Sequence, residues 1–476
     1  MKSFKHVHIL GVCGTLMGAF ASYLKRTGVR VTGTDQNVYP PMSDVLKNAG
    51  IELFSPYAAE NLQKIAKNPG EHPDLFVIGN VISKGNVEMT AIEQSGVPYV
   101  SLPEFMEQQL LPQTRNLVVA GTHGKTTTSS LLAHTLASAG ENPSYFIGGV
   151  SHSLPHSFHA LADSRYFVLE GDEYDTAFWD KVPKFNHYLP NDVILTSVEF
   201  DHADIYADLA AVKKAFAGLI SRIRTPGRLI ACVETANVRE LIPSAKVPLI
   251  TYSRFEKDGA DYTFKNMKTN GENTSFDVIF KGEKKDHLEI NLCGEHNVLN
   301  ALAVYVECFE LGIPSAKIRE GLKTFGGIKR RQEERGEVNG VLVIDDFAHH
   351  PTAVRETLNA LHLKYPERRI VAVFEPRSAT SRRKVFQKEY TEAFDRAGAV
   401  FIAAAFDQSK IPADQQFSSQ ELVTGVKARG IHAHCFSEVD EGVKNVAAFA
   451  KKDDLIAVLS NGGFGGFIPK LLEALR

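Results

Sequence analysis

Cysteine is scarce and scattered. The five residues Cys13, Cys232, Cys293, Cys308 and Cys435 form no C-x-x-C pair and no His-flanked cluster at zinc spacing. Neither a disulfide framework nor a zinc module is expected, and the usage fits a reducing compartment. Long apolar runs are lacking too: no window reaches the roughly 18 residues needed to span a bilayer. Nor is there an excess of one charge, because 53 basic against 56 acidic residues leave a net −3. This offers no general attraction to nucleic acid or anionic lipid, so neither is an expected partner and a small-molecule substrate is favoured. Internal repeats and low-complexity tracts are also missing. At 476 residues the chain exceeds the roughly 250–300 at which one core stops growing, so about three domains are expected. With 43% hydrophobic and 23% charged residues, it has the composition of an ordinary globular protein.

What is present begins with an ambiguity. Lys2 and Lys5 precede an apolar run that ends in Ala19-Phe20-Ala21, which imitates a secretory signal. His6 and His8 interrupt that run, and Gly11, Gly14 and Gly18 punctuate it, so a strand and glycine turn of a cytoplasmic protein is the expectation. The spacing G-x-x-G-x-x-x-G lacks the G-x-G-x-x-G of dinucleotide sites. Asp35 nevertheless follows Gly14 at near the ~20-residue spacing of a ribose-binding acid, which keeps an NAD-dependent dehydrogenase as an alternative.

Strand-like apolar runs alternate with helical patterns along the whole chain, predicting α/β layers with largely parallel sheets. HVHIL, VRVTGTD, LFVIGN and VPYVS supply a first unit, followed by the linker LLPQTRN at 110–116. A second unit carries strands NLVVA, YFVLE and DVILTSV and the helix HNVLNALAVYVECFELG. Within it, residues 261–292 alternate apolar and polar like an antiparallel insertion. Charge and glycine then rise over FGGIKRRQEERGEVNG, and a third unit holds strands VLVIDD, RIVAVFE, AVFIAAA and LIAVLS. The expected domains are 1–112, 113–326 and 327–476.

The most informative stretch is LVVAGTHGKTTTSSLLAHTL, residues 117–136, where a strand enters a glycine turn and then a helix. Backbone N–H groups at such a helix start attract phosphate, a lysine neutralises the outer phosphates, and a hydroxyl can ligate Mg²⁺. Gly121, Thr122, His123, Gly124, Lys125, Thr126 and Thr127 are therefore assigned to nucleotide binding, although Val119 stands where the first P-loop glycine should be. Mg²⁺ wants hard oxygen ligands. YFVLEGDEYD places Glu170, Asp172, Glu173 and Asp175 after one strand, and ILTSVEFDHADIY places Glu199, Asp201 and His202 after another. Carboxyl ends of parallel strands are where α/β proteins bind ligands, though an acidic loop can also be a solvated face. His296, Asn297 and Asn300 fall at the start of a helix, where capping by Asn or His is the first reading. Arg331 lies in a charge run, and Asp345, Asp346, His349 and His350 gather where a strand should end.

GTHGKTTT, EGDEYD, FDHADIY, GEHNVLNA, the pair Arg330-Arg331 and DDFAHHPTAV occur in the order and spacing of the ATP-dependent Mur ligases of peptidoglycan synthesis, which the chain resembles over essentially its whole length. DQNVYPPMSDVL, GNVISKGN, EPRS and SNGGFGGF resemble the branch that adds a peptide rather than the one that adds L-alanine. The resemblance implies three domains: an N-terminal Rossmann-like domain for the UDP-sugar, a central P-loop ATPase-like domain, and a C-terminal Rossmann-like domain for the incoming amine. It implies ATP and Mg²⁺ as cofactors, and UDP-N-acetylmuramate and L-Ala-γ-D-Glu-meso-diaminopimelate as substrates. L-Alanine is the rival amine.

By motif, Lys125 would contact the ATP phosphates, Thr126, Glu170 and His202 would surround magnesium, and Asn297 and Asn300 would lie near adenine. Arg331 and Asp346 would reach the nucleotide. Gly11, Gly14, Thr15, Met17, Asp35, Asn80, Glu173, His350 and Arg377 would serve the substrates, with His349 or His350 accepting the amine proton. Ala217 stands where some relatives carry a carboxylated lysine, so no such modification is expected. Closure of the domains around the reactants is expected, in a monomer or weak homo-oligomer. A non-catalytic nucleotide-binding or transport ATPase partner is a further alternative.

Overall fold

The computed structural model describes residues 4–38, 42–66, 72–271 and 273–476. Lys2, and Tyr39-Pro40-Pro41 of the stretch DQNVYPPMSDVL, lie outside the described residues. The chain forms two compact units.

The first unit comprises Met1–Val198, Lys213–Asp261 and Ala303–Gly321. One of its sheets contains β1 (His6–Leu10), β2 (Arg30–Thr34), β3 (Glu52–Phe54), β4 (Leu75–Ile78) and β5 (Tyr99–Ser101). They lie in the order β3-β2-β1-β4-β5, all parallel, which is the arrangement of a dinucleotide-binding half. Every residue of β1 is buried, as expected of a central strand covered on both faces. Its two histidines are accommodated by pairing. His6 Nε2 and His8 Nδ1 both meet Thr32 Oγ1, at 2.9 and 2.8 Å, and His8 Nε2 lies 3.5 Å from Glu88 Oε1.

The second sheet of this unit contains β6 (Arg115–Ala120), β7 (Ser144–Phe146), β8 (Phe158–His159), β9 (Tyr166–Gly171), β10 (Asp192–Leu195), β11 (Arg228–Cys232) and β12 (Leu249–Tyr252). The order is β12-β11-β10-β6-β9-β7-β8, parallel except for β8. Aromatic contacts bind the two sheets into one unit. Phe158 packs against Phe20 and Tyr23 at centroid distances of 5.4 and 5.0 Å, and Tyr99 meets Trp179 at 5.3 Å. His187 bridges Glu107 at 2.6 Å and Asp180 at 2.7 Å.

The second unit comprises Glu199–Val212, Tyr262–Leu302 and Leu322–Arg476. The alternating insertion is the antiparallel meander β13 (Tyr262–Asn270), β14 (Asn273–Phe280) and β15 (Glu283–Ile290). A six-stranded sheet then contains β16 (Glu333–Val338), β17 (Val341–Asp346), β18 (Arg369–Phe374), β19 (Ala399–Ala403), β20 (His432–Phe436) and β21 (Asp454–Leu459). Its order is β16-β17-β21-β18-β19-β20, with only β16 antiparallel. Ile344, Leu358 and Phe374 belong to the core on one face, and Val343, Val371 and Phe467 to the core on the other. The side chains of β17 and β18 alternate between these layers.

The run DVILTSV is shorter as a strand than its composition predicts. β10 stops at Leu195: Thr196 N still donates to Ala120 O at 3.0 Å, but beyond it the chain bonds the glycine turn through the hydroxyls of Thr196 and Ser197. Among the described residues, no helix is long and apolar enough to cross a membrane.

Candidate active site

In the first unit, β6 ends at Ala120 and the helix Lys125–Ala139 begins five residues later. The turn between them needs glycine twice. Gly121 has φ +141° and a Cβ there would overlap Thr196 Oγ1, while Gly124, at φ +80°, precedes the helix with no described side chain capping it. The turn rests on the end of β10: Thr122 N donates to Ser197 O at 3.0 Å, His123 N to Ser197 Oγ at 3.0 Å, and Thr196 Oγ1 to His123 O at 2.5 Å. Sequence reasoning missed this support, since its signal lies in the pairing of β6 with β10.

The first two helical side chains meet the acidic loop after β9. Lys125 Nζ donates to Gly121 O at 2.7 Å and to Glu173 Oε2 at 2.9 Å, and Thr126 Oγ1 donates to Glu170 Oε1 at 2.8 Å. Gly148 N donates to the other Glu170 oxygen at 2.6 Å. Burial works against the charge of Lys125, but Glu173 and Asp172 outweigh it and raise its pKa. Burial raises Glu170 above the usual carboxylate range despite the bonds from Gly148 and Thr126. Asp172 goes the other way: Lys184, at 2.6 Å, and Lys125 overcome its burial and hold it well below that range. Thr127 is half-buried in the same helical turn. Lysine, hydroxyl and carboxylates thus converge on the end of a phosphate-type loop, a donor set suited to polyphosphate and a hard cation.

The N-terminal glycine turn follows β1. Gly11, at φ +82°, donates through its N–H to Thr34 O at 2.8 Å, and a Cβ there would stand 3.1 Å from Val81 Cγ2. Gly14 and Thr15, at the start of the helix Thr15–Arg26, are exposed, as is Asn80, whereas Met17 is buried on the inner face of that helix. Asp35 accepts from Cys13 N at 2.8 Å and from Asn37 N at 3.1 Å, so its carboxylate holds the turn itself.

In the second unit, Asp201 and His202 occupy the loop after Glu199. Asp201 is buried and accepts from Thr380 Oγ1 at 2.5 Å and from His202 N at 2.8 Å, with His349 Nε2 3.8 Å from its second oxygen. These neighbours outweigh burial and keep Asp201 well below the usual carboxylate range, His349 being the largest contributor and His202 the next. Glu199 accepts from Thr352 Oγ1 at 2.8 Å and lies 3.6 Å from His350 Nδ1. His350 Nδ1 itself accepts from Thr352 N at 3.3 Å, capping the helix Pro351–Lys364. Thr380 and Thr352 were missed by sequence reasoning, because a threonine in a turn or first helical turn carries no distinctive pattern.

Asp346, at the end of β17, accepts from Gln332 N and Ala348 N at 2.8 Å each; burial raises its pKa although Arg331 opposes this. Arg331 lies over the Phe347 ring at 4.9 Å. Arg377 is held 3.9 Å from the Phe406 ring centroid and 3.3 Å from Glu375. Asn297 donates to Cys293 O at 2.8 Å and Asn300 to Asn297 at 3.3 Å, both buried within the helix Glu295–Glu310, so neither bond is a cap and each occupies part of the residue's hydrogen-bonding capacity.

Residues 6–113 match the family described as Mur ligase family, catalytic domain; 119–307 match Mur ligase middle domain; and 330–462 match Mur ligase, glutamate ligase domain. The chain is 38% identical to the UDP-N-acetylmuramate--L-alanyl-gamma-D-glutamyl-meso-2,6-diaminoheptandioate ligase of Escherichia coli (strain K12), over 98% of both chains. It is 37% identical to the ligase of the same name from Haemophilus influenzae, over 99% of both. The crystal structure of a murein peptide ligase from Psychrobacter arcticus 273-4 superposes with a TM-score of 0.71 at 33% identity, covering 99% of this chain and 98% of that one. With matches to all three family domains and full-length identity of this order, the chain belongs to the Mur ligase family.

Proposed function

We propose that the chain is an ADP-forming amide ligase that joins L-Ala-γ-D-Glu-meso-diaminopimelate to UDP-N-acetylmuramate in peptidoglycan recycling. The observation that carries the reaction is the convergence of Lys125 and Thr126 with Glu173 and Glu170 on one phosphate loop. The choice of amine follows the full-length relatives. Residues 1–112 bind the UDP-sugar, 113–326 the ATP and 327–476 the incoming peptide. The chain works in the cytoplasm.

A carboxylate does not condense with an amine at neutral pH, because oxide is a poor leaving group. Transfer of the γ-phosphoryl group to the muramoyl carboxylate replaces oxide by phosphate and releases ADP. Such transfer is catalysed mainly by positioning and charge neutralisation. Lys125 is fixed for the phosphates by Gly121 O and Glu173, and Arg331 adds a second cation. The paired oxygens of Thr126 and Glu170 fit a hard cation, whose charge would oppose the upward push of burial on the Glu170 carboxyl. Mg²⁺ held there, with His202 as a further ligand, would supply Lewis-acid neutralisation of the phosphate oxygens. The peptide amine then attacks the acyl carbon, phosphate leaves, and His349 or His350 takes the amine proton. Asn297 and Asn300 face adenine, Asp346 serves the nucleotide, and Arg377 serves the incoming peptide. Gly11, Gly14, Thr15 and Asn80 hold the UDP diphosphate and sugar.

The test is isotopic. With ¹⁸O in the muramoyl carboxylate, turnover with ATP, Mg²⁺ and the tripeptide should place one ¹⁸O in the released phosphate. Product formed with unlabelled phosphate, or no product, would reject the acyl-phosphate route.

A further inference from the structure

We propose that Thr380 is a positioning residue for His202, acting through its hydroxyl on the backbone either side of that histidine. The proposal rests on the reading above that His202 serves the ATP and magnesium chemistry.

His202 has φ +54°, in the left-handed region that is uncommon for a non-glycine residue. Two groups within the loop hold the carbonyl of His202, the N–H groups of Ile205 and Tyr206 at 2.9 and 3.0 Å, and Thr380 braces its flanks from outside the loop. Thr380 Oγ1 donates to Asp201 Oδ1 at 2.5 Å and accepts from Ala203 N at 3.2 Å, so it touches the residue before and the residue after His202. The same Asp201 oxygen accepts the N–H of His202 at 2.8 Å. Thr380 is 2% exposed, so water cannot readily replace its hydroxyl. Its own place is fixed by a turn in which Arg382 N donates to Ser378 O at 3.1 Å, Arg383 N to Thr380 O at 2.9 Å, and Ser381 N to Ser378 Oγ at 2.9 Å. That turn follows Arg377 directly. The segment assigned to the incoming peptide therefore also sets the conformation of the His202 loop.

Removing the hydroxyl while keeping the side chain's shape takes this acceptor from the half-buried Ala203 N–H and one donor from Asp201. His202 then relaxes from its left-handed conformation, and misplacement of a reacting group by an ångström is costly in rate. Thr380→Val and Thr380→Ser separate hydroxyl from bulk. In the protein without nucleotide, hydrogen exchange at the Ala203 amide should quicken by about tenfold or more in the valine variant and stay close to wild type in the serine variant. In the ligase assay, the valine variant should lose about tenfold or more in kcat and need more Mg²⁺ for half-maximal rate, with the KM for UDP-N-acetylmuramate within about twofold of wild type. Thr380→Ala carries the same expectations should the valine variant fail to fold. Unchanged exchange at Ala203, or faster exchange with wild-type kcat and Mg²⁺ dependence, overturns the proposal. A wild-type chain that ligates nothing would instead strike the functional reading, and the exchange measurement would still decide the clamp.

Discussion

Lys125 is 14% exposed at its side chain and its partner Glu173 only 2%, so the pair is a nearly buried ion pair rather than a surface one. Removing one member takes from the other its ionic partner in a nearly water-free setting. Lys125→Ala should therefore lower ADP release by about a hundredfold or more, and destabilise the fold by about 3–5 kcal/mol in a denaturant titration. Near-normal turnover in that variant would show that the loop does not hold the phosphates. At this scale, contiguous chemistry was legible and bridging chemistry was not. Gly121 to Thr127 announce themselves because strand, glycines, lysine and hydroxyls are consecutive. The bond from Thr380 to Asp201 spans 179 residues, and nothing local marks either partner for the other. Asp35 shows the converse. Its spacing suggests a ribose ligand, yet its carboxylate caps the N–H groups of Cys13 and Asn37.

At the scale of elements, β1 places two histidines in a buried central strand. Burial, helped by the charges of Arg30 and His8, lowers His6 from 6.5 to about 4, and burial lowers His8 as well against the pull of Glu88. The folded state thus binds fewer protons than the unfolded chain between these values. Stability is full above 6.5, falls as pH drops through that window, and levels off below the folded value. Thermal melts at about pH 7 and about pH 4.5 should show a smaller loss for His6→Gln than for wild type; an equal loss would mean that His6 is not the group responsible. The glycine turn makes a second demand. Gly121→Ala forces a Cβ onto Thr196 Oγ1 at a positive φ, and should cost about 1–3 kcal/mol of stability as well as activity. An alanine variant with wild-type melting and turnover would contradict the tight seat drawn for this loop. Strand β1 was legible from its apolar run, whereas the early end of β10 was not: DVILTSV favours a strand throughout by composition, and the bonds of Thr196 and Ser197 to the neighbouring glycine turn are not written in it.

For the whole molecule, alternating strand and helix patterns foretold parallel sheets, and the polar-apolar alternation of 261–292 foretold the meander. The membership of Glu199–Val212 in the second unit was not legible, since it depends on contacts such as Thr352 to Glu199, across 153 residues, and Phe200 to Phe386. On the function proposed, the identity of the amine is read by the loops of the third sheet, and there too the sequence does not show that Arg377 is fixed between Glu375 and Phe406. ADP release measured with UDP-N-acetylmuramate, ATP and Mg²⁺, and with either L-Ala-γ-D-Glu-meso-diaminopimelate or L-alanine as amine, tests the central claim most directly. Turnover with the tripeptide and little with L-alanine is the predicted result; turnover with L-alanine alone, or with neither amine, would contradict it.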